Sequence, residues 1–222
     1  MTKRVVGVLT LVCVVVLAVF VLEEVVRTLG TLDRVERERD SWQRPDEILR
    51  QLDLHPGMTV VDLGSGAGYF SLKIAPRVAP NGRVFAVDLR RQSLAFLWIR
   101  AVLGGHWNIQ AIRGHVDNPS LPPAPVDVVL IANTYHELAA PEQILKALYT
   151  SMGPGGKLVV VDRAPRGGVE TRRQAEGHHE MTRAVAEGQI TQQGFQTVRR
   201  EDSFIDRSGD EDVWWFVVFR KT

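Results

Sequence analysis

Residues 60–71 read Val-Val-Asp-Leu-Gly-Ser-Gly-Ala-Gly-Tyr-Phe-Ser. An apolar run ends in an acid, passes through a glycine-rich turn and opens an amphipathic pattern. A buried strand is therefore handed to a helix through a loop with almost no side chains. Such a loop brings backbone N–H groups and a helix N-terminus close to a ligand.

The glycine spacing restricts that ligand. Gly64, Gly66 and Gly68 are spaced G-x-G-x-G, whereas a dinucleotide fingerprint needs its third glycine one place later. That place holds Tyr69. No Gly-Lys-Ser/Thr follows, so a phosphate P-loop is absent. The loop has no Lys or Arg, and Asp62 at its mouth repels a phosphate. The pattern points to a nucleoside without a pyrophosphate, carrying a cationic or amine-bearing part.

From Pro45 onward helices and strands alternate. The reading is a helix over 46–54, a strand over 58–63, a helix over 69–78 and a strand over 83–87. Then come a helix over 92–103, strands over 108–113 and 126–132, a helix over 141–152 and a strand over 157–162. A helix over 179–192 and strands over 195–201 and 212–220 close the chain. The first five strands are nearly continuous apolar runs, which predicts an α/β, doubly wound, mostly parallel sheet with helices on both faces. The last two strands are too close for a helical crossover and should form an antiparallel hairpin. That gives a Rossmann-like sheet of seven strands.

The N-terminus is different in kind. Val5 to Leu22 carries no charge and is flanked by Lys3-Arg4 and Glu23-Glu24. As a helix it spans about 27 Å, close to a bilayer core of about 30 Å. No small-residue cleavage site follows it, so residues 1–22 are expected to be an uncleaved membrane anchor rather than a signal. Residues 23–44 read as a linker helix and 45–222 as the catalytic domain. The lysine and arginine counts and the flanking acids point opposite ways on orientation, and a cytoplasmic domain is expected on functional grounds. The net charge of +1 leaves no electrostatic footprint for nucleic acid. The single cysteine, Cys13, lies in the apolar segment, so the folded domain has no disulfide and no thiolate nucleophile. Adjacent His178, His179 and Glu180 diverge by about 100° on a helix, and no metal is expected there.

In an open α/β sheet, ligands bind outside the C-terminal ends of the strands. There the second strand ends in Asp88, about 20 residues past the glycine loop. An acid there can accept hydrogen bonds from both ribose hydroxyls. Asp62-Leu-Gly-Ser-Gly-Ala-Gly68 and Asp88, with the sheet pattern over 45–220, resemble the class I S-adenosylmethionine-dependent methyltransferases. The resemblance implies S-adenosylmethionine as cofactor, held by Asp62, Gly64, Ser65, Gly66, Gly68 and Asp88. It implies Leu89 on the adenine face, and Asp117 accepting from the adenine amino group with the backbone of Val116 beside the ring. Asn133 should contact the cofactor through its backbone. Tyr135 and His136 are the candidate catalytic residues, His136 as general base or substrate-orienting group.

Methyl transfer needs alignment and exclusion of water more than covalent help, which matches the lack of a triad. The expected acceptor is a small hydrophobic metabolite reached from the membrane, as in the quinone-type branch. Two rivals remain open: a non-catalytic, membrane-tethered nucleoside-binding protein, and an NAD(P)-dependent reductase. The glycine spacing argues against the second.

Overall fold

The computed structural model describes the backbone of residues 3–165, 180–207 and 212–222, and side chains from residue 6 within them. The chain divides into two compact units, Met1–Trp42 and Gln43–Thr222. The first is one helix, α1 (Lys3–Trp42), of 40 residues. Over Val6–Trp42 it is long and apolar enough to cross a membrane by length and composition, with a mean hydropathy of 2.8 in its most apolar window.

The second unit holds the sheet. Its elements are α2 (Pro45–Leu52), β1 (Thr59–Leu63), α3 (Tyr69–Val78), β2 (Arg83–Asp88) and α4 (Arg91–Leu103). Next come β3 (Ile109–Arg113), β4 (Val126–Ala132), a 3-10 turn (Tyr135–Glu137), α5 (Pro141–Ser151) and β5 (Met152–Arg163). The last are α6 (Arg183–Gln192), β6 (Phe195–Arg207) and β7 (Asp212–Lys221). Seven strands lie in the order β3-β2-β1-β4-β5-β7-β6. β1 to β5 pair in parallel, and β7 runs antiparallel to both β5 and β6. The expected fold is therefore the observed one, down to the C-terminal hairpin.

Alternation along the strands builds two cores. Val61, Leu63, Phe85, Val87, Val129, Ile131, Leu158 and Val160 pack with Ile144, Leu145 and Leu148 of α5 and Ala186 and Ile190 of α6. Their neighbours Val60, Asp62, Val84, Ala86, Val128, Leu130, Val159 and Val161 are buried on the opposite face. α3 lies on that second face, as the hydrogen bond from Ser71 Oγ to Asp62 Oδ2 at 2.6 Å establishes.

Several boundaries differ from the sequence reading, each for a local reason. β5 begins at Met152, because Met152 pairs with Val126 before a bulge and Lys157 then resumes the ladder with Val128. β6 runs on to Arg207 across a second bulge, between Glu201 and Ile205. α6 starts at Arg183, where the Thr182 hydroxyl accepts from the Val185 N–H. Gln43 and Arg44 fall in the second unit: Gln43 is fully buried, and the Arg44 guanidinium donates to the Phe204 carbonyl and lies 4.4 Å above its ring.

Candidate active site

The glycine loop crosses the C-terminal ends of β1 and β2 and enters α3. The N–H groups of Gly64, Ser65, Gly66 and Gly68 are engaged within the protein, unlike the ligand-facing donors expected from the sequence. Gly64 and Ser65 donate to the Val87 carbonyl at 2.8 and 3.0 Å, and Gly68 donates to Ser65 at 2.9 Å. Gly66 donates to Asp88 Oδ2 at 2.9 Å. Below the loop, Arg100 Nη1 donates to the Ala67 carbonyl at 2.8 Å. The loop is thus a pre-set surface, fastened from both sides.

Its glycines differ in what they face. Gly64 has φ +78, and a Cβ there would meet the Thr134 side chain, with Thr134 Cβ at 2.7 Å and its Oγ1 and Cγ2 closer. Gly64 is therefore where the β4 loop and the glycine loop touch. At Gly66, φ +54, a Cβ would meet nothing within 4 Å. That open side is where a flat ligand can approach the backbone.

Asp88 is buried at the tip of β2. Oδ2 accepts from the Gly66 N–H, and Oδ1 accepts from the Arg90 N–H at 2.8 Å. Each carboxylate oxygen takes about two hydrogen bonds, so both keep capacity. The Asp88 carbonyl accepts from the Gly114 N–H at 3.1 Å, which holds the next turn alongside. In that turn His115 donates to Asn118 at 2.7 Å and Asn118 returns the bond at 3.3 Å, leaving Val116 and Asp117 exposed at its tip. Leu89 is exposed beside Asp88. Asp62 is buried under the loop with Ser71 on its carboxylate. Asn133, at φ +56, donates its N–H to the Val161 carbonyl at 2.8 Å.

Tyr135 and His136 occupy different surroundings. Tyr135 is fully buried in the α5–α6 core, and its hydroxyl donates to Gln189 Oε1 at 2.9 Å. His136 is 1% exposed and lies 2.7 Å, Nδ1 to Oδ1, from Asp162, which is 0% exposed. Its N–H donates to the other oxygen, Oδ2, at 3.0 Å, and Nε2 lies 3.7 Å from Glu137 Oε1. Burial disfavours the charged ring, but the hydrogen bonds to Asp162 and Glu137 and their charges outweigh it. The His136 pKa is raised to about 9. The ring is an imidazolium at neutral pH, whereas a general base must be neutral there.

The structure thus gathers Asp62, Gly64, Ser65, Gly66, Gly68, Asp88 and Asn133 around one loop, with Leu89, Val116 and Asp117 at its rim. It sets Tyr135 and His136 beneath. Residues not singled out in the sequence complete the support: Ser71, whose partner Asp62 lies nine residues before it, and Arg100, Thr134 and Gln189, each identifiable only through a partner far along the chain. His178 and His179 lie outside the described residues. Among the described residues no group of three His, Cys, Asp or Glu is placed to hold a metal ion.

Two further observations fit a nucleoside ligand here. The Ser65 hydroxyl is buried with no hydrogen-bond partner among the described residues. The Asp88 carboxylate beside the loop suits neutral hydroxyl donors. A doubly wound sheet with this site at its switch point defines a nucleoside-binding α/β protein.

Residues 54–203 match the family described as "Methyltransferase domain". The chain belongs to that family, in the class I S-adenosylmethionine-dependent fold, and S-adenosylmethionine is the cofactor that goes with it. An arsenite methyltransferase of Halobacterium salinarum is 31% identical over 108 residues, 48% of this chain and 27% of the relative. A ubiquinone/menaquinone biosynthesis C-methyltransferase of Ectopseudomonas mendocina is 28% identical over 113 residues, 49% of this chain and 43% of the relative. The chain therefore spans less than half the length of these two curated relatives. The crystal structure of an S-adenosylmethionine-dependent methyltransferase from Aquifex aeolicus superposes with a TM-score of 0.68 at 22% identity, over 81% of this chain and 90% of that one.

Proposed function

We propose that this chain transfers a methyl group from S-adenosylmethionine to a small hydrophobic acceptor at a membrane. The observation that carries the reading is the Asp88 carboxylate. It is buried, held by one N–H on each oxygen, and keeps lone pairs for two ribose hydroxyls beside the open side of Gly66. On this reading Leu89 and Val116 flank the adenine, and Asp117 accepts from its amino group. Ser65 donates its unpartnered hydroxyl. Asp62 fixes the start of α3 through Ser71, and Asn133 lines the methyl-bearing end.

Bound S-adenosylmethionine supplies a sulfonium methyl for in-line displacement, leaving a neutral thioether as the acceptor gains carbon and loses a proton. The chain's own task is then orientation and exclusion of water. Thr134 packed on Gly64 fixes the distance between the two loops. The Asp162–His136 pair clamps the turn 133–138 from below, which makes His136 a positioning residue rather than a proton acceptor at neutral pH. Tyr135, bonded to Gln189, holds the same turn against α6.

The membrane part rests on α1. Val5–Leu22 is uncharged, and the helix containing it passes the length and hydropathy requirements for a span. We read residues 1–22 as an anchor that keeps the domain near apolar acceptors, in the manner of a quinone-type enzyme.

Calorimetric titration of the detergent-solubilised full chain with S-adenosylmethionine, S-adenosylhomocysteine and NADH tests the cofactor. Binding of the first two and not of NADH is expected, and failure of both rejects the reading. Incubating a membrane extract with methyl-labelled cofactor tests the acceptor. Label should enter the lipid-soluble fraction; label confined to the aqueous fraction rejects a hydrophobic acceptor.

A further inference from the structure

After its polar first turn, Arg91-Gln92-Ser93, helix α4 is apolar except at Arg100, and part of that apolar surface is exposed. Leu94, Leu97 and Ala101 are buried against the domain. Away from them lie exposed Ala95, Trp98 and Leu103 with half-buried Ile99 and Val102, and Trp107 follows in the turn before β3. Trp98 is 61% exposed, Leu103 74% and Trp107 78%. Exposed apolar patches of this kind mark interaction sites. This one runs along a sheet edge, since β3 is the outermost strand on that side. It starts at exposed Leu89, at the rim of the candidate site.

The charge pattern selects the occupant. Between Asp88 and Asp117 the chain has Arg90, Arg91, Arg100 and Arg113 and not one Asp or Glu. That local excess of four positive charges stands against +1 for the whole chain. Arg91 and Arg113 are exposed, Arg90 is exposed with its Nε 3.5 Å from Asp88, and Arg100 is turned to the Ala67 carbonyl. Exposed tryptophans with arginines and no acid match the interfacial zone of an anionic bilayer, where indole rings sit at headgroup level and guanidinium groups meet lipid phosphates. An apolar segment able to span a bilayer belongs to the same chain.

We infer that the outer face of α4, with Trp107, lies on the surface of an anionic membrane. In that pose the rim of the glycine-loop site at Leu89 sits at the headgroup level. An acceptor dissolved in the bilayer then reaches the site without crossing water. The inference rests partly on the reading of α1 as an anchor.

The test uses the full chain with Cys13→Ser and Leu103→Cys, labelled at residue 103 with an environment-sensitive fluorophore. A second version carries the label at Val198→Cys, an exposed position on β6 at the other edge of the sheet. Both are reconstituted into vesicles of phosphatidylcholine with or without phosphatidylglycerol, containing a brominated quenching lipid. The label at 103 should blue-shift and be quenched, more so with phosphatidylglycerol, while the label at 198 stays in water. Adding Trp98→Glu and Trp107→Glu should drop quenching at 103 to the level at 198. A label at 103 that remains in water overturns the inference. So does a label that responds to added oligonucleotide or to protein concentration instead of the quenching lipid, which assigns the face to nucleic acid or to a second copy. Alkaline carbonate extraction reads the anchor separately: release with the 103 label still quenched beforehand rejects the anchor and keeps the α4 face.

Discussion

His136 meets Asp162 twice. Its ring Nδ1 lies 2.7 Å from Oδ1, and its backbone N–H donates to Oδ2 at 3.0 Å. One carboxylate at the end of β5 therefore holds both the side chain and the main chain of the turn after β4. The Arg163 N–H also donates to Oδ1, at 2.8 Å, so the carboxylate is held from its own strand as well. A buried ion pair so fully bonded fixes geometry more surely than it adds stability.

The pair predicts a pH dependence. The folded pKa of His136 is about 9 against an ordinary value of 6.5, so the folded state holds its proton more tightly than the unfolded state. The pair's stabilisation is complete below pH 6.5, falls as pH rises through the interval and is gone above pH 9. At about 1.4 kcal/mol per pH unit the total is about 3 kcal/mol. Urea midpoints measured across this range should fall with pH. Asp162→Asn should flatten the curve; an unchanged slope in that variant would assign the titration to another group.

How legible this was in the sequence depended on distance along the chain. The glycine loop, Asp62 and Asp88 could be read because their meaning is local: a strand end, a turn without side chains, an acid at fixed spacing. The mostly parallel sheet and its C-terminal hairpin followed from alternation and loop length. The His136–Asp162 pair could not be read, because it depends on the β4–β5 register that sets Ala132 opposite Val161. The same holds for Thr134 against Gly64, where contact is made between two loops from neighbouring strands. The bulges that lengthen β5 and β6 were hidden too, since Gly153-Pro154-Gly155-Gly156 and Asp202-Ser203 read as breaks when only local propensity is weighed.

Asp88 should govern cofactor affinity through charge as well as shape. Asp88→Asn keeps an acceptor near the Gly66 N–H but removes the negative charge. Losing charge assistance costs about 1.5–3 kcal/mol, roughly 10- to 150-fold in Kd. Asp88→Ala also frees the loop N–H and should abolish detectable binding. Calorimetry with S-adenosylhomocysteine measures both; wild-type affinity in Asp88→Ala rejects the ribose role.

Tyr135 separates packing from catalysis. Its hydroxyl is buried and donates to Gln189. Tyr135→Phe should therefore cost about 1 kcal/mol of stability and leave kcat near the wild-type value. A large fall in kcat with unchanged urea midpoint would return the hydroxyl to the chemistry.

Gly64 and Gly66 make a matched pair, because both have positive φ and only one is crowded. Gly64→Ala drives a methyl group into the Thr134 side chain and adds backbone strain. Overpacking of about 1–3 kcal/mol and strain of about 1–2 kcal/mol together place its cost at about 2–5 kcal/mol. Gly66→Ala incurs only the strain, about 1–2 kcal/mol, but its methyl group points into the open side of the loop. The first variant should lose stability, and Thr134→Gly should restore part of it by removing the clash. The second should keep its fold and lose cofactor affinity. Urea melts and calorimetry on the same four proteins separate these outcomes. A Gly66→Ala chain that binds S-adenosylhomocysteine as tightly as wild type would place the nucleoside elsewhere than against this loop.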